Sequence, residues 1–361
     1  MVFPALCVYN DSNSSNGILF RCRQITIKKR RQVMKKKTGW GFVGAGSIAN
    51  RMIRDLEKIP DGRLSAVASR SFDKAKAFAE RHDAVAYDNY EQLILDKNVD
   101  VVYIATPHTL HMENTLLALE LGKPVLCEKP MAPNAGQVRK MVGKTREKGV
   151  YLMEAMWTRF FPAIQQVRTW IGQGEIGKVH MVTADFGFSS RLDPSSRLYD
   201  PALAGGSLLD VGVYAVSFAS MIYGQKPNRI AGMAETTSTG VDACMNCTLG
   251  YEGGGMASLY SAINTNTVQE AKIFGESGYI AVPNFWSPRK AYLYRNGQLT
   301  EEFYRDHDGE GFQFEIETVQ RDLREGKTEN SIMPLDESIE IAETMDAIRA
   351  QWGLIYPFEK Q

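Results

Sequence analysis

The sequence predicts an α/β protein in two parts: a doubly wound parallel sheet, then an α+β domain with a large, mostly antiparallel sheet. Three observations predict it. Strand-like and helix-like segments alternate from residue 38 to about residue 155, as in a parallel sheet covered on both faces. A glycine-rich turn joins the first strand to the first helix. From residue 229 to about residue 304, short β-type segments are broken by glycine pairs and by Asn296-Gly297, a hairpin signal. A length of 361 residues suits about two domains, here expected at 36–155 and 156–361.

Each element has its own warrant. Residues 39–43 read as a short buried strand, and 47–58 as a helix stopped by Pro60-Asp61-Gly62. Residues 63–68 form a second strand, 73–82 an alanine-rich helix and 85–96 a shorter unit. Residues 99–105 (Val-Asp-Val-Val-Tyr-Ile-Ala) give the strongest strand signal; helix 111–121 then ends at Gly122, where a left-handed cap is expected. Strand 125–127, helix 134–148 and strand 150–154 complete the run. After residue 155 the texture changes: a helix near 161–171, an alternating strand at 179–188, a helix over 207–223, the β-rich stretch, and closing helices at 312–324 and 335–352.

Composition excludes several classes. Lys+Arg and Asp+Glu both total 42, so no net charge draws the chain to nucleic acid. No apolar run approaches the length of a membrane helix. Five cysteines in so long a chain do not make a disulfide scaffold, which points to a reducing, cytoplasmic setting. Residues 1–35 stand apart as a basic tail. They are expected to be disordered or, for residues 1–33, to precede the true start at Met34; a transit peptide or nucleic-acid arm are the alternatives.

Gly44-Ala45-Gly46-Ser47-Ile48-Ala49 fits G-x-G-x-x-[GA] between a strand and a helix. Gly44 permits the turn, Gly46 lets the backbone approach a pyrophosphate, and the helix N-terminus offers free N–H groups. In an alternating chain this predicts a dinucleotide-binding Rossmann domain. The second strand ends in Ser69-Arg70, without the carboxylate that would hold a ribose 2′-hydroxyl. Arg70 can instead pair with a 2′-phosphate, so the expected cofactor is NADP rather than NAD.

Two further segments follow strands at their carboxyl ends, where such sheets place chemistry: Thr106-Pro107-His108-Thr109-Leu110-His111 and Glu128-Lys129-Pro130. Taken alone, a lysine such as Lys129 at a strand end is more often a solvated charge than a catalyst. Combined with the Gly44 turn, however, Thr106-Pro107-x-x-x-His111 and Glu128-Lys129-Pro130 resemble the Gfo/Idh/MocA oxidoreductases. The runs 125–130, 152–162 (Leu-Met-Glu-Ala-Met-Trp-Thr-Arg-Phe-Phe-Pro) and 205–214 (Gly-Gly-Ser-Leu-Leu-Asp-Val-Gly-Val-Tyr) resemble the branch of that family acting on dihydrodiols. The likeness runs from about Thr38 nearly to the C-terminus.

The resemblance implies roles. The family's usual D-x-G-x-H reads Asp210-x-Gly212-x-Tyr214 here, so Tyr214 is expected to be the proton donor and acceptor, with Lys129 its electrostatic partner. Asp210, four residues earlier and thus on the same helical side, is a candidate substrate contact. Trp157, Arg159 and Phe160 are expected to overhang the nicotinamide as substrate-binding residues. Gly44, Ala45, Gly46, Ser47, Ile48, Ser69, Arg70, Thr106, Pro107, His111, Glu128 and Lys129 are the expected cofactor contacts. His108 stands where the family commonly has Asn, and 191–197 is a candidate lid or a plain surface loop.

The expected activity is NADP-dependent hydride transfer to or from a vicinal diol, aldose sugar or dicarbonyl. A sugar or cyclitol dehydrogenase with another substrate and a non-catalytic NADP-binding regulator are the alternatives. No metal site is expected: Cys244 and Cys247, at strand spacing, point to opposite faces. Homodimerisation through the second domain's sheet is expected, with no nucleic-acid or membrane partner.

Overall fold

Apolar runs too short for helices and too continuous for half-buried strands become the central strands of the first sheet. In the computed structural model, residues 37–360 are described; the expectations for residues 1–35 lie outside them. The strands are β1 (Thr38–Val43), β2 (Gly62–Ala68), β3 (Val85–Tyr87), β4 (Val101–Ile104), β5 (Val125–Glu128) and β6 (Leu152–Ala155). They lie in the order β3-β2-β1-β4-β5-β6 with every neighbour parallel. Between them run α1 (Ser47–Leu56), α2 (Phe72–Arg81), α3 (Tyr90–Leu95), α4 (His111–Glu120) and α5 (Ala135–Lys148). Alternate strand residues feed different cores. Trp40, Phe42 and Tyr103 join the large cluster continuing into the second half of the chain, while Val43, Val102 and Ile104 join a smaller one. Strand order reverses between β1 and β4, which opens a crevice beyond their carboxyl ends.

The remaining elements are α6 (Pro162–Gly172), β7 (Val179–Gly187), α7 (Val213–Tyr223), β8 (Arg229–Thr236), β9 (Asp242–Gly250), β10 (Met256–Ala262), β11 (Glu270–Gly275), β12 (Gly278–Pro283), β13 (Lys290–Arg295), β14 (Gln298–Tyr304), α8 (Gln313–Arg324) and α9 (Leu335–Ala350). The second sheet has the order β14-β13-β12-β11-β7-β10-β9-β8, antiparallel except for β7 beside β10. The predicted α/β class with its mostly antiparallel second sheet is therefore borne out. Cys244 and Cys247 sit on β9, the first half-buried and the second buried, as their spacing requires.

Two observations amend the sequence reading. The helix expected over 207–223 begins as a wider π-turn, Leu208–Gly212, before α7. Gly212 is tightly enclosed: a Cβ there would lie 2.9 Å from Met245 Cε and Ser261 Oγ. The run Pro201–Tyr223 is also long and apolar enough to span a membrane by composition, contrary to the expectation. In the fold it belongs to the core, with 89% of its most apolar 18-residue window buried.

The chain's end returns to the first sheet. Asp55, buried near the end of α1, accepts the backbone N–H groups of Glu310, Gly311 and Phe312 at 2.9–3.1 Å. α9 packs on both α5 and α7. The crevice is thereby walled by both halves of the chain.

Candidate active site

A cavity of about 410 Å³ lies at the carboxyl ends of β1, β2, β4 and β5. One end is built by the turn from β1 into α1. Gly44 has φ +112°, and a Cβ there would stand 2.5 Å from the Ala105 carbonyl oxygen, so only glycine fits. A Cβ on Gly46 would meet nothing within 4 Å. α1 has no side-chain cap and no acid in its first turn, which leaves its N-terminal N–H groups for an anion. Ser69, Arg70 and Lys74 line the same end without a carboxylate among them. Ser71 caps α2 by accepting from the Lys74 N–H at 3.4 Å, which places Lys74 one turn after Arg70. The uncapped turn fits a diphosphate and the basic corner fits a 2′-phosphate. Lys74 and Tyr90 were not singled out by the sequence reading, although Arg70-x-x-x-Lys74 spacing could have flagged the lysine.

Past the switch point the wall is formed by Thr106, Pro107, His108, Glu128 and Lys129, with Asp210 and Arg197 from the second half of the chain. Glu128 accepts from the Tyr103 hydroxyl at 2.5 Å and from the Lys129 N–H at 3.2 Å. Burial raises the Glu128 carboxyl above its ordinary range, opposed by the Tyr103 bond and by the Lys129 charge. His111 is completely enclosed, its ring nitrogens 3.0 Å from the Pro130 carbonyl and 2.9 Å from that of Thr106. Burial lowers its pKa to about 4. His111 borders the cavity as expected, and with both ring nitrogens against those carbonyls it also ties together the loops after β4 and β5. His108, also buried, is held well below the normal histidine range by burial and by His111.

Lys129 and Tyr214, 85 positions apart, come together here. The Lys129 ammonium donates to the Asp210 carbonyl at 2.6 Å and stands 4.7 Å from the Tyr214 ring centroid. The Tyr214 hydroxyl accepts from the Trp157 indole N–H at 2.8 Å. Burial and nearby Glu128 push the phenol's pKa up, while the Trp157 bond pulls it down. Burial also lowers the Lys129 pKa, opposed by the negative charges of Asp210 and Glu128. Burial alone would raise the Asp210 carboxyl, but Lys129 and Arg197 together hold it below its usual value. Arg197 bonds Asp210 Oδ1 at 2.7 Å, so the 191–197 loop reaches the site through that residue.

Two expected substrate contacts are corrected. Arg159 is 2% exposed and fully engaged: Glu337 takes two of its donors at 2.6 and 2.7 Å, and Ser217 takes two more. A guanidinium leaving β6 inside the core needs a carboxylate, and α9 brings the half-buried Glu337. Phe160 is packed in the main core and does not line the cavity. Trp157 also turns inward, stacked on Phe312 at 4.3 Å, and meets the site through its bond to Tyr214 and its ring beside Arg51. The aromatic wall beside Tyr214 comes from elsewhere. Phe186 lies 5.4 Å from its ring and stacks on Trp286 at 4.8 Å. Neither was flagged, because both are brought in by the second sheet.

Among the described residues no cluster of His, Cys, Asp and Glu is arranged to hold a metal. The profile described as "Oxidoreductase family, NAD-binding Rossmann fold" matches residues 38–156, and that of the "GFO/IDH/MocA C-terminal domain" matches 164–281. The chain belongs to the Gfo/Idh/MocA oxidoreductase family. Curated relatives include the trans-1,2-dihydrobenzene-1,2-diol dehydrogenase of Mus musculus, 40% identical over 333 residues, covering 89% of this chain and 99% of the relative. The Homo sapiens enzyme of that name is 36% identical over 334 residues, with coverages of 89% and 99%. A crystal structure of KijD10, a 3-ketoreductase from Actinomadura kijaniata in complex with NADP and TDP-benzene, is similar with a TM-score of 0.79 and 26% identity. That likeness covers 88% of this chain and 98% of the other. The aldose-aldose oxidoreductase of Caulobacter crescentus shares the fold (TM-score 0.81, 24% identity, coverages 88% and 97%). The expectations of a dehydrogenase of this family and of NADP as its cofactor are borne out.

Proposed function

We propose that this oxidoreductase interconverts a vicinal diol or aldose sugar with its oxidised product, or reduces a dicarbonyl, using Tyr214 as the acid and base and Lys129 as its charged partner. One observation carries the reading: the Lys129 ammonium lies over the Tyr214 ring while Trp157 donates to the same phenol's oxygen. A bound nicotinamide supplies or accepts the hydride. In reduction Tyr214 gives its proton to the carbonyl oxygen, and the Trp157 N–H and the Lys129 charge steady the phenolate left behind. In oxidation Tyr214 takes the hydroxyl proton. The Asp210 carboxylate, bonded to Arg197 through one oxygen, is the proposed hydroxyl contact. The Phe186–Trp286 stack supplies an apolar side suited to a ring-shaped substrate. The names of the curated relatives support the diol; the test is NADPH oxidation with a panel of dicarbonyls and aldoses, and NADP+ reduction with trans-dihydrodiols. Tyr214→Phe is expected to lower turnover by about a hundredfold or more, as for loss of a general acid; unchanged turnover would remove Tyr214 from the mechanism.

We also propose a homodimer through the uncovered face of the second sheet. Met233 on β8 and Met256 and Tyr260 on β10 are exposed there, on either side of β9. Sedimentation giving a monomer at micromolar concentration would oppose it. The described thiols, Cys127, Cys244 and Cys247, are all free, which supports a reducing, cytoplasm-like compartment.

A further inference from the structure

Arg51 carries a charge that the reading so far does not use. It lies four residues after Ser47 on α1, so its side chain leaves the helix on the side of the Gly46–Ser47 turn. It lines the cavity together with that turn. At the cavity edge its Nε donates to Glu310 Oε2 at 2.5 Å. Its guanidinium carbon also stands 5.7 Å from the Trp157 ring centroid and 5.4 Å from that of Phe312. These two stacked rings hold the cation from one side, whatever its anionic partner.

Glu310 is held in place independently of Arg51. The loop carrying it is fixed to α1 by Asp55, which accepts three successive backbone N–H groups, and by the Lys58–Asp308 pair at 2.9 Å. A Cβ on Gly309, at φ +108°, would stand 2.1 Å from Asp55 Oδ1, so the loop cannot pass this point with a side chain. The Arg51 and Glu310 side chains are 37% and 28% exposed, a half-solvated pair of the kind that exchanges partners at small cost. A diphosphate offers a planar guanidinium more charge and a better matched pair of acceptors than one carboxylate.

We propose that Arg51 binds the diphosphate bridge of the dinucleotide and that Glu310, its partner in this structure, competes with the cofactor for it. The inference rests on the NADP reading of the site and deepens it. Glu310 then keeps a preplaced cation from facing the cavity unpaired, and it weakens cofactor affinity in doing so.

The test measures dissociation constants on the cofactor-free enzyme by calorimetry, with NADP+ and with adenosine 2′-monophosphate, which lacks the diphosphate bridge. Arg51→Ala is expected to weaken NADP+ binding roughly 10- to 100-fold, as for loss of a charge-assisted bond, with adenosine 2′-monophosphate held within about twofold. Glu310→Gln is expected to tighten NADP+ binding by about threefold or more, and to have no effect once Arg51 is Ala. Arg51→Lys should fall between, keeping the charge and losing the fork. Unchanged NADP+ binding in Arg51→Ala would overturn the proposal. So would weaker NADP+ binding in Glu310→Gln, or equal loss of both ligands in Arg51→Ala. A wild-type protein that binds neither ligand would instead overturn the NADP reading itself.

Discussion

Replacing Trp157 by Phe tests the proposed chemistry at its most exposed assumption, that the indole N–H sets the behaviour of Tyr214. The substitution removes one donor and keeps an aromatic ring for the stack on Phe312, now at 4.3 Å and 11°. Trp157 and Tyr214 are 4% and 6% exposed, so little solvent can replace the lost 2.8 Å bond. A buried partner left unsatisfied costs about 1–3 kcal/mol, which corresponds to roughly 5- to 150-fold in rate if it falls on the transition state. It should fall there, because the N–H points at the oxygen that gains charge as the proton leaves. The pH sign follows from the same bond. Burial already raises the phenol's pKa and the indole opposes that, so removing the indole raises it further. Oxidation needs Tyr214 to accept a proton, so the rising limb of kcat for oxidation moves to higher pH. The assay is kcat and KM in both directions across neutral to alkaline pH, with NADP+ affinity measured separately by titration. We expect kcat lowered by at least about fivefold, the limb shifted upward, and NADP+ affinity within about twofold. A kcat within a factor of about two and an unmoved limb would refute the role given to Trp157.

Arg159→Ala should act on stability rather than on substrate binding. It strands Glu337 inside the fold and should cost about 3–5 kcal/mol, read as a Tm drop on the order of 10 °C; a higher KM at unchanged Tm would restore a substrate contact. Asp55→Asn removes the charge that gathers three loop N–H groups and should destabilise by about 2–4 kcal/mol in denaturant titrations. Arg70→Asp should weaken NADP+ binding by about tenfold or more and leave NAD+ binding nearly unchanged, which moves the NADP/NAD ratio of kcat/KM toward NAD.

The fold was legible because it is written in local periodicity. The continuous apolar stretches around Val101 and Val125 are central parallel strands, and strand ends within the first sheet fall within a few residues of expectation. What periodicity cannot carry is the partner of a side chain. Arg159 follows a strand, as a cleft residue should, but the residue that claims it, Glu337, is 178 positions later. The π-turn at 208–212 is likewise invisible, since its tight packing depends on Met245 and Ser261 of neighbouring strands. Lys129, Tyr214 and Asp210 were found through family motifs. Arg51 and Lys74 were missed because a basic residue on a helix next to solvent looks, in sequence, like any other solvated charge.

The resting charges of the site set a direction. Lys129 is half-buried; desolvation works against its ammonium, and the nearby Asp210 and Glu128 and the bond to the Asp210 carbonyl work for it. Tyr214 is buried under the same negative neighbours, and for a phenol they act the other way, holding the proton on. One set of carboxylates therefore favours the protonated form of both groups. In the proposed reduction the neutral phenol gives up its proton and the ammonium beside it keeps its own. Oxidation must begin from the phenolate, the form this environment disfavours most. If Tyr214 is the acid and base, these directions favour carbonyl reduction, and oxidation is expected to gain on it as the pH rises. A ratio of forward to reverse kcat that did not change with pH would mean that Tyr214 is not the group that titrates.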